Sequence, residues 1–275
     1  MHILLLAGLI VLLGQTPLHA TEQRVYSVGI VPQFEVKRTH EIWRPILDAL
    51  EQRTGLRFQL VGSPTISAFD GEFRSGRFDF AYANPYHVML AQQSEGYIPL
   101  VRDTARRLYG VVVARKDSGI NQMTDLAGQS IVFPDPNALG ATLLVKQELI
   151  NRLHLQVNPR YVKTHDSVYL NVALGLAAAG GGVQKTLNQQ NDEIKSLLKI
   201  IHKTVDVAPH PLVVHPRVEP QVAEAVKQAL LALGATAEGR ALFSAVPIHQ
   251  IGPASIDDYK PLAEMNLQQF YLGNP

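Results

Sequence analysis

Short β-branched and aromatic runs alternate with helical segments along almost the whole of this chain, and that alternation restricts it to an α/β fold. Residues 25–31 (VYSVGIV) end at Pro32 and read as a first strand. In 41–53, Ile42, Ile46, Leu47 and Leu50 share one helical face, and Gly55 supplies the stop. Strands are then expected at 57–61 and 78–83, and helices at 66–75 and 85–93, the latter started by Pro85. The run YGVVVAR at 109–115 is continuously apolar, as suits a strand covered on both faces. Further strands are expected at 130–133, 160–164 and 197–202, with helices at 140–153 and 167–178. The last quarter reads as helical at 220–233, 236–244 and 257–270.

The beginning of the chain speaks to location. Residues 3–14 (ILLLAGLIVLLG) are unbroken and apolar; Gln15, Thr16 and Pro17 break the run, and Leu18-His19-Ala20 ends on a small residue. This is the layout of a secretory signal peptide over residues 1–20, although its start carries His2 and no Lys or Arg. The run is short of the roughly 20 residues that a membrane-spanning helix needs. The sequence holds no cysteine. A lipoprotein-type anchor, disulfides, thiol catalysis and Cys-based metal sites are therefore excluded, and the hydrophobic core has to hold an exported chain together. The processed protein is expected to be free in the periplasm. Lys plus Arg number 25 and Asp plus Glu 24, so nothing draws the chain to nucleic acid or an anionic membrane.

No G-x-S-x-G elbow, phosphate-binding P-loop, H-E-x-x-H or dinucleotide fingerprint is present, and no nucleophile–base set stands out. Neither an enzyme nor a cofactor is expected. The histidines are scattered, and His210 and His215 precede Pro211 and Pro216, which argues against one metal-binding helix face. Three segments can carry recognition. Asp79–Pro85 delivers Tyr82 and Asn84 from a strand end to a helix start; an ordinary turn with a core tyrosine is the alternative. Phe133–Ala141 feeds a long helix through Asn137, Ala138, Leu139, Gly140 and Ala141, where free N–H groups make an anion site; simple Asn capping is the alternative. Thr164–Ser167 presents His165 as an oxyanion donor with Asp166 or Ser167 capping, or else a capping box beside a surface histidine. All three end predicted strands, where open α/β sheets bind ligands. The run Gly180-Gly181-Gly182 lacks nucleotide-loop spacing and reads as a tight turn or a close backbone approach.

At these residues the chain resembles the phosphonate, phosphite and phosphate binding proteins of bacterial ABC importers, within the type II periplasmic binding proteins. The matching stretches are Gly29-Ile30-Val31-Pro32, Trp43-Arg44-Pro45-Ile46, Thr54-Gly55, Gly76 through Pro85, Asp125-Leu126-Ala127-Gly128, and Phe133-Pro134-Asp135-Pro136. Thr164 through Val168, Glu238-Gly239 and Asp258 through Leu262 complete the set. The resemblance implies two α/β lobes, each a mixed sheet flanked by helices, two hinge crossings and a small ligand clamped between the lobes. Lobe one would comprise residues 24–108 plus 205–275, and lobe two 109–204. It implies a monomer that serves an inner-membrane ABC permease; the alternative is a sensing subunit for a membrane histidine kinase. The ligand set carried over is Tyr82, Asn84, Asn137, Ala138, Leu139, Gly140, Ala141, His165, Asp166 and Gly180. Two departures bear on the ligand. The family's Ser/Thr-rich loop here reads Asn137-Ala138-Leu139-Gly140, with no hydroxyl before Thr142, and Ala178 stands where the family has an Asp. With no Lys or Arg in the three segments either, weak binding of simple phosphonates is the expectation.

Overall fold

The alternation is realised as two sheets, in a computed structural model that describes residues 24–272. The expected signal peptide, 1–20, lies outside the described residues. The strands are β1 Val25–Ile30, β2 Arg57–Val61, β3 Phe80–Tyr82, β4 Ile98–Asp103, β5 Gly110–Arg115, β6 Ser130–Phe133, β7 Asn158–Tyr161, β8 Ala179–Val183, β9 Leu198–Lys203, β10 Pro211–Val214 and β11 Ile251–Pro253. One sheet has the order β11-β4-β10-β3-β1-β2 and the other β7-β6-β8-β5-β9. Both are mixed: β1 is parallel to β2 and β3 while β10 runs antiparallel to β3 and β4, and β6 is parallel to β7 and β8 while β5 is antiparallel to β8 and β9. The chain leaves the first sheet after β4, builds the whole second sheet, and returns at β10.

The two passages between sheets touch. Leu108 and Val207 exchange both backbone hydrogen bonds, at 2.9 and 2.8 Å, and Arg107 pairs with Asp206 at 2.7 Å. The chain passes between the sheets only through this short two-stranded ladder, so this is where a hinge motion would be taken up.

The expected apolar stripe of the first helix is the buried one. Helix Val36–Thr54 buries Trp43, Ile46, Leu47 and Leu50 and ends at Gly55, whose φ of 70° favours glycine. The helix begins five residues before the sequence pattern suggests, because the turn at Val36–His40 is polar and partly exposed and gives no periodic signal. The six-stranded sheet has an aromatic core that includes Tyr26, Phe58, Phe69, Phe73, Phe78 and Phe80. The five-stranded sheet is aliphatic, with Val111, Val113 and Val172 on one face and Val112, Ile131 and Val145 on the other.

Three features depart from the sequence reading. Gly180–Gly182 is the middle of β8 and not a tight turn; close backbone approach, the other reading of this run, is what the glycines serve. A Cβ on Gly180 would lie 2.6 Å from Val168, one on Gly181 would overlap the Ala141 carbonyl and the Phe133 ring, and one on Gly182 would overlap the Tyr169 hydroxyl. Two helices therefore lie directly on this strand. Strands β4, β10 and β11 carry too little periodicity to be read in advance. The helix expected at 257–270 is instead three short 3-10 turns, Ile256–Asp258, Lys260–Met265 and Leu267–Phe270, interrupted at Asn266 with φ 52°. Tyr259, Leu262, Leu267 and Phe270 from these turns pack with Leu108, Leu139, Leu143 and Val207, at the junction of the sheets. No described helix is long and apolar enough to cross a membrane.

Candidate functional site

The carboxyl ends of β3 and β6, and the helix starts that follow them, face each other across the junction. Asn84 caps helix Pro85–Glu95: its Oδ1 accepts from the Tyr86 and His87 N–H groups at 2.9 and 3.0 Å. Its Nδ2 donates across the junction to the Asn137 carbonyl at 3.3 Å. Opposite it, residues 139–152 form one helix whose ends are wound as π-helix, Leu139–Leu143 and Gln147–Arg152. Its ladder begins with Thr142 and Leu143 N–H, both donating to Ala138 O. The N–H groups of Leu139, Gly140 and Ala141 accordingly have no acceptor among the described residues, the situation that makes a helix start receptive to anions.

A small cavity of about 20 Å³ lies here, lined by Val31, Gln33, Ile66, Asn84 and His210 from one side and by Ala138, Leu139, Gly140, Ala141, His165 and Val183 from the other. Six of the ten expected residues therefore share one cavity. Tyr82 lines its neighbour, a cavity of about 70 Å³ that shares Val183 and His210 with the first. The Tyr82 ring stacks on His210 at 5.5 Å and leans on Trp43 at 4.9 Å.

Asn137, Asp166 and Gly180 are not brought to the site. The Asn137 amide is turned to the end of the described chain, where it donates to Leu272 O and accepts from Leu272 N, both at 2.9 Å. Its carbonyl takes Asn84 Nδ2 and the His87 Nε2 proton, at 3.3 and 3.1 Å. Asp166 points outward, paired with Arg38 at 3.7 Å and accepting from Gln190 at 2.6 Å. Thr164 rather than Asp166 or Ser167 caps helix His165–Ala173, accepting from Ser167 N at 3.1 Å. Gly180 faces Val168 and Val172, inside the lobe.

His165 is buried, and its Nδ1 has no hydrogen-bond partner among the described residues. Burial, with Lys185 adding to it, holds its pKa down to about 3, so the ring is neutral at pH 7. His210 is likewise held well below the usual histidine value by burial, then by Lys185 and by His165 and His87. Its Nε2 meets Gln33 Nε2 at 3.0 Å, while its Nδ1 is unpartnered. A buried polar atom without a partner costs about 1–3 kcal/mol, which a ligand accepting or donating there would recover.

Lys185 is the residue that the sequence reading missed. It sits on helix Gln184–Asn188, directly after β8, and lines the larger of the two cavities. Its ammonium stands 5.7 Å from the Tyr82 ring centroid, a cation–π arrangement, and it makes no ion pair or hydrogen bond among the described residues. Burial lowers its pKa to about 8 against the opposing pull of Asp103, so it remains cationic at pH 7. It lies outside the three segments singled out in the sequence, which hold no Lys or Arg, and adds a cation to the cavity lining. A strand read in place of the glycine turn would have drawn attention to the two residues after it. A roomier cavity, about 180 Å³, lies elsewhere, among Ile30, Phe34, Val36, His40 and Leu60; it is mostly apolar and holds no Lys or Arg. Among the described residues no cluster of three or more His, Asp or Glu is placed to hold a metal.

Two mixed sheets joined by two crossings, with residues of both lining the cavities, give the chain the two-lobe fold of the type II periplasmic binding proteins. The fold is similar to that of the binding-protein component of an ABC phosphonate transporter from Pseudomonas aeruginosa, with a TM-score of 0.82 at 17% identity over 90% of this chain and 88% of that one. It is also similar to a Prochlorococcus marinus protein solved in complex with methylphosphonate, with a TM-score of 0.81 at 15% identity over 89% and 98% of the two chains. A family profile described as "ABC transporter, phosphonate, periplasmic substrate-binding protein" matches residues 28–259, and the chain belongs to that family. Among sequence relatives, a phosphate-import protein of Mycolicibacterium smegmatis is 24% identical over 223 residues, 73% of this chain and 69% of the relative.

Proposed function

We propose that this protein is the periplasmic receptor of an ABC importer, which closes on a small phosphonate-class oxyanion between its lobes and presents it to an inner-membrane permease. We take the lobes to be residues 24–108 with 205–275, and 109–204. The observation that carries the reading is the convergence of unpartnered N–H groups at Leu139, Gly140 and Ala141 with the unpartnered ring nitrogen of His165 on one cavity. Preorganised donors in a site shielded from water are what a tetrahedral oxyanion needs, because its desolvation has to be offset by hydrogen bonds. Asn84 stands on the facing wall and Tyr82 beside it. Family membership favours import, and it gives no support to the sensing alternative.

The cavity at these donors has room for about one water. A ligand of several heavy atoms therefore requires the lobes to part, turning about the Leu108–Val207 bridge. Calorimetric titration of the processed protein with methylphosphonate, phosphite and phosphate tests the reading. Saturable micromolar or tighter binding of at least one is expected. Failure of all three to bind would overturn it.

A further inference from the structure

We infer that the cavity holding Lys185 is a second subsite that selects negative charge, so that the preferred ligand is a phosphonate carrying an additional acidic group, such as a phosphonocarboxylate, rather than an aminoalkyl phosphonate. The inference rests on the oxyanion reading of the neighbouring cavity and specifies the rest of the ligand. The two cavities share Val183 and His210, so one molecule can reach from the helix start at Gly140 into the larger space. At about 70 Å³ against about 20 Å³, that space is where the remainder of a ligand fits.

Its charges are unequal. Lys185 is half-buried and makes no ion pair or hydrogen bond among the described residues. Arg106 and Arg107 stand at the exposed rim, and Arg107 is already paired with Asp206. The only carboxylate in the lining, Asp103, is turned to its own loops: it accepts from Ala105 N at 2.9 Å, His249 N at 3.0 Å and Gln250 N at 3.2 Å. Three of its acceptor positions are thus occupied, which leaves it a poor partner for a ligand ammonium. His210 on the shared wall and His165 in the smaller cavity are neutral at pH 7 and add no positive charge of their own. A half-buried cation without a counter-ion is destabilised by desolvation, and a ligand carboxylate placed there forms a charge-assisted hydrogen bond. A ligand ammonium in the same place meets like charge, which selects against it.

Titration calorimetry of wild type, Lys185→Met, Lys185→Arg and Lys185→Glu with 3-phosphonopropionate, methylphosphonate and 2-aminoethylphosphonate tests the inference. In wild type, 3-phosphonopropionate should bind about tenfold or more tighter than methylphosphonate, and 2-aminoethylphosphonate more weakly than either. Lys185→Arg should keep that order, Lys185→Met should bring the three affinities together, and Lys185→Glu should favour the aminoalkyl ligand. The ratio within each variant is the readout, so a general loss of affinity does not imitate the result. Equal affinities in wild type, or a preference that survives Lys185→Met, would overturn the inference and leave the importer reading intact. No binding of any of the three by wild type would overturn both.

Discussion

On the six-stranded side of the cleft, Asn84 is tied into the protein at both ends of its amide, accepting two helix N–H groups and donating to the Asn137 carbonyl. On the five-stranded side, the N–H groups of Leu139, Gly140 and Ala141, the His165 ring nitrogen and the Lys185 ammonium make no such bonds among the described residues. The first wall is largely satisfied, with the His210 Nδ1 as its one unpartnered ring nitrogen among the described residues. The second keeps its polar groups free, and the free energy of binding has to come chiefly from there. Glycines make this possible, since the helix that presents the free N–H groups lies directly on β8 and β5.

The largest effect should come from spoiling the second wall's foundation. Gly181→Ala places a Cβ against the Ala141 carbonyl and the Phe133 ring, neither of which can move freely. Roughly 3 kcal/mol of stability should be lost, the upper end for overpacking. Urea denaturation measures it, and a loss below about 0.5 kcal/mol would contradict the close approach.

The comparison is sharpened by two substitutions with opposite signatures. His165→Ala should weaken phosphonate binding by about 1–3 kcal/mol, and because Nδ1 holds nothing in the unliganded protein its cost to stability is confined to the packing of the ring. Asn84→Ala should cost about 1–2 kcal/mol of stability through the lost helix cap, with a smaller effect on affinity. The same pattern in both variants would abolish the distinction between the walls.

A smaller effect concerns pH. His165 has a folded pKa of about 3, below the ordinary 6.5, and His210 is displaced in the same direction. The unfolded chain therefore binds protons first as pH falls, and stability that is complete above about pH 6.5 is lost progressively toward pH 3. Between pH 7 and pH 5, wild type should lose more stability than His165→Gln. Equal losses would mean that the ring is not held neutral by its surroundings.

Much of this was legible in the chain itself. Where a strand carries β-branched residues and a helix has a complete apolar stripe, as at β1, β5 and Trp43–Leu50, the pattern reports burial directly. β8 was not legible, because AGGGV has almost no side chains to alternate and its glycines answer to helices that are distant in sequence. Within the site, strand ends were the right guide to the segments, yet direction within a segment was hidden. Thr164, His165 and Asp166 are consecutive at one helix start: the first caps, the second enters the cavity and the third reaches Arg38. Successive residues on a helix diverge by about 100°, so adjacency in sequence does not give a shared orientation. Lys185 was hidden for the same reason as β8, whose end determines where it points.

The central claim is that the second wall holds the oxyanion, and the most direct measurement is a crystal structure of the complex with methylphosphonate. The account predicts phosphonate oxygens about 2.7–3.2 Å from the backbone nitrogens of Gly140 and Ala141 and from a His165 ring nitrogen, with Asn84 still bonded to the helix it caps. A phosphonate found instead in the cavity beside Phe34 and His40, with His165 untouched, would contradict it.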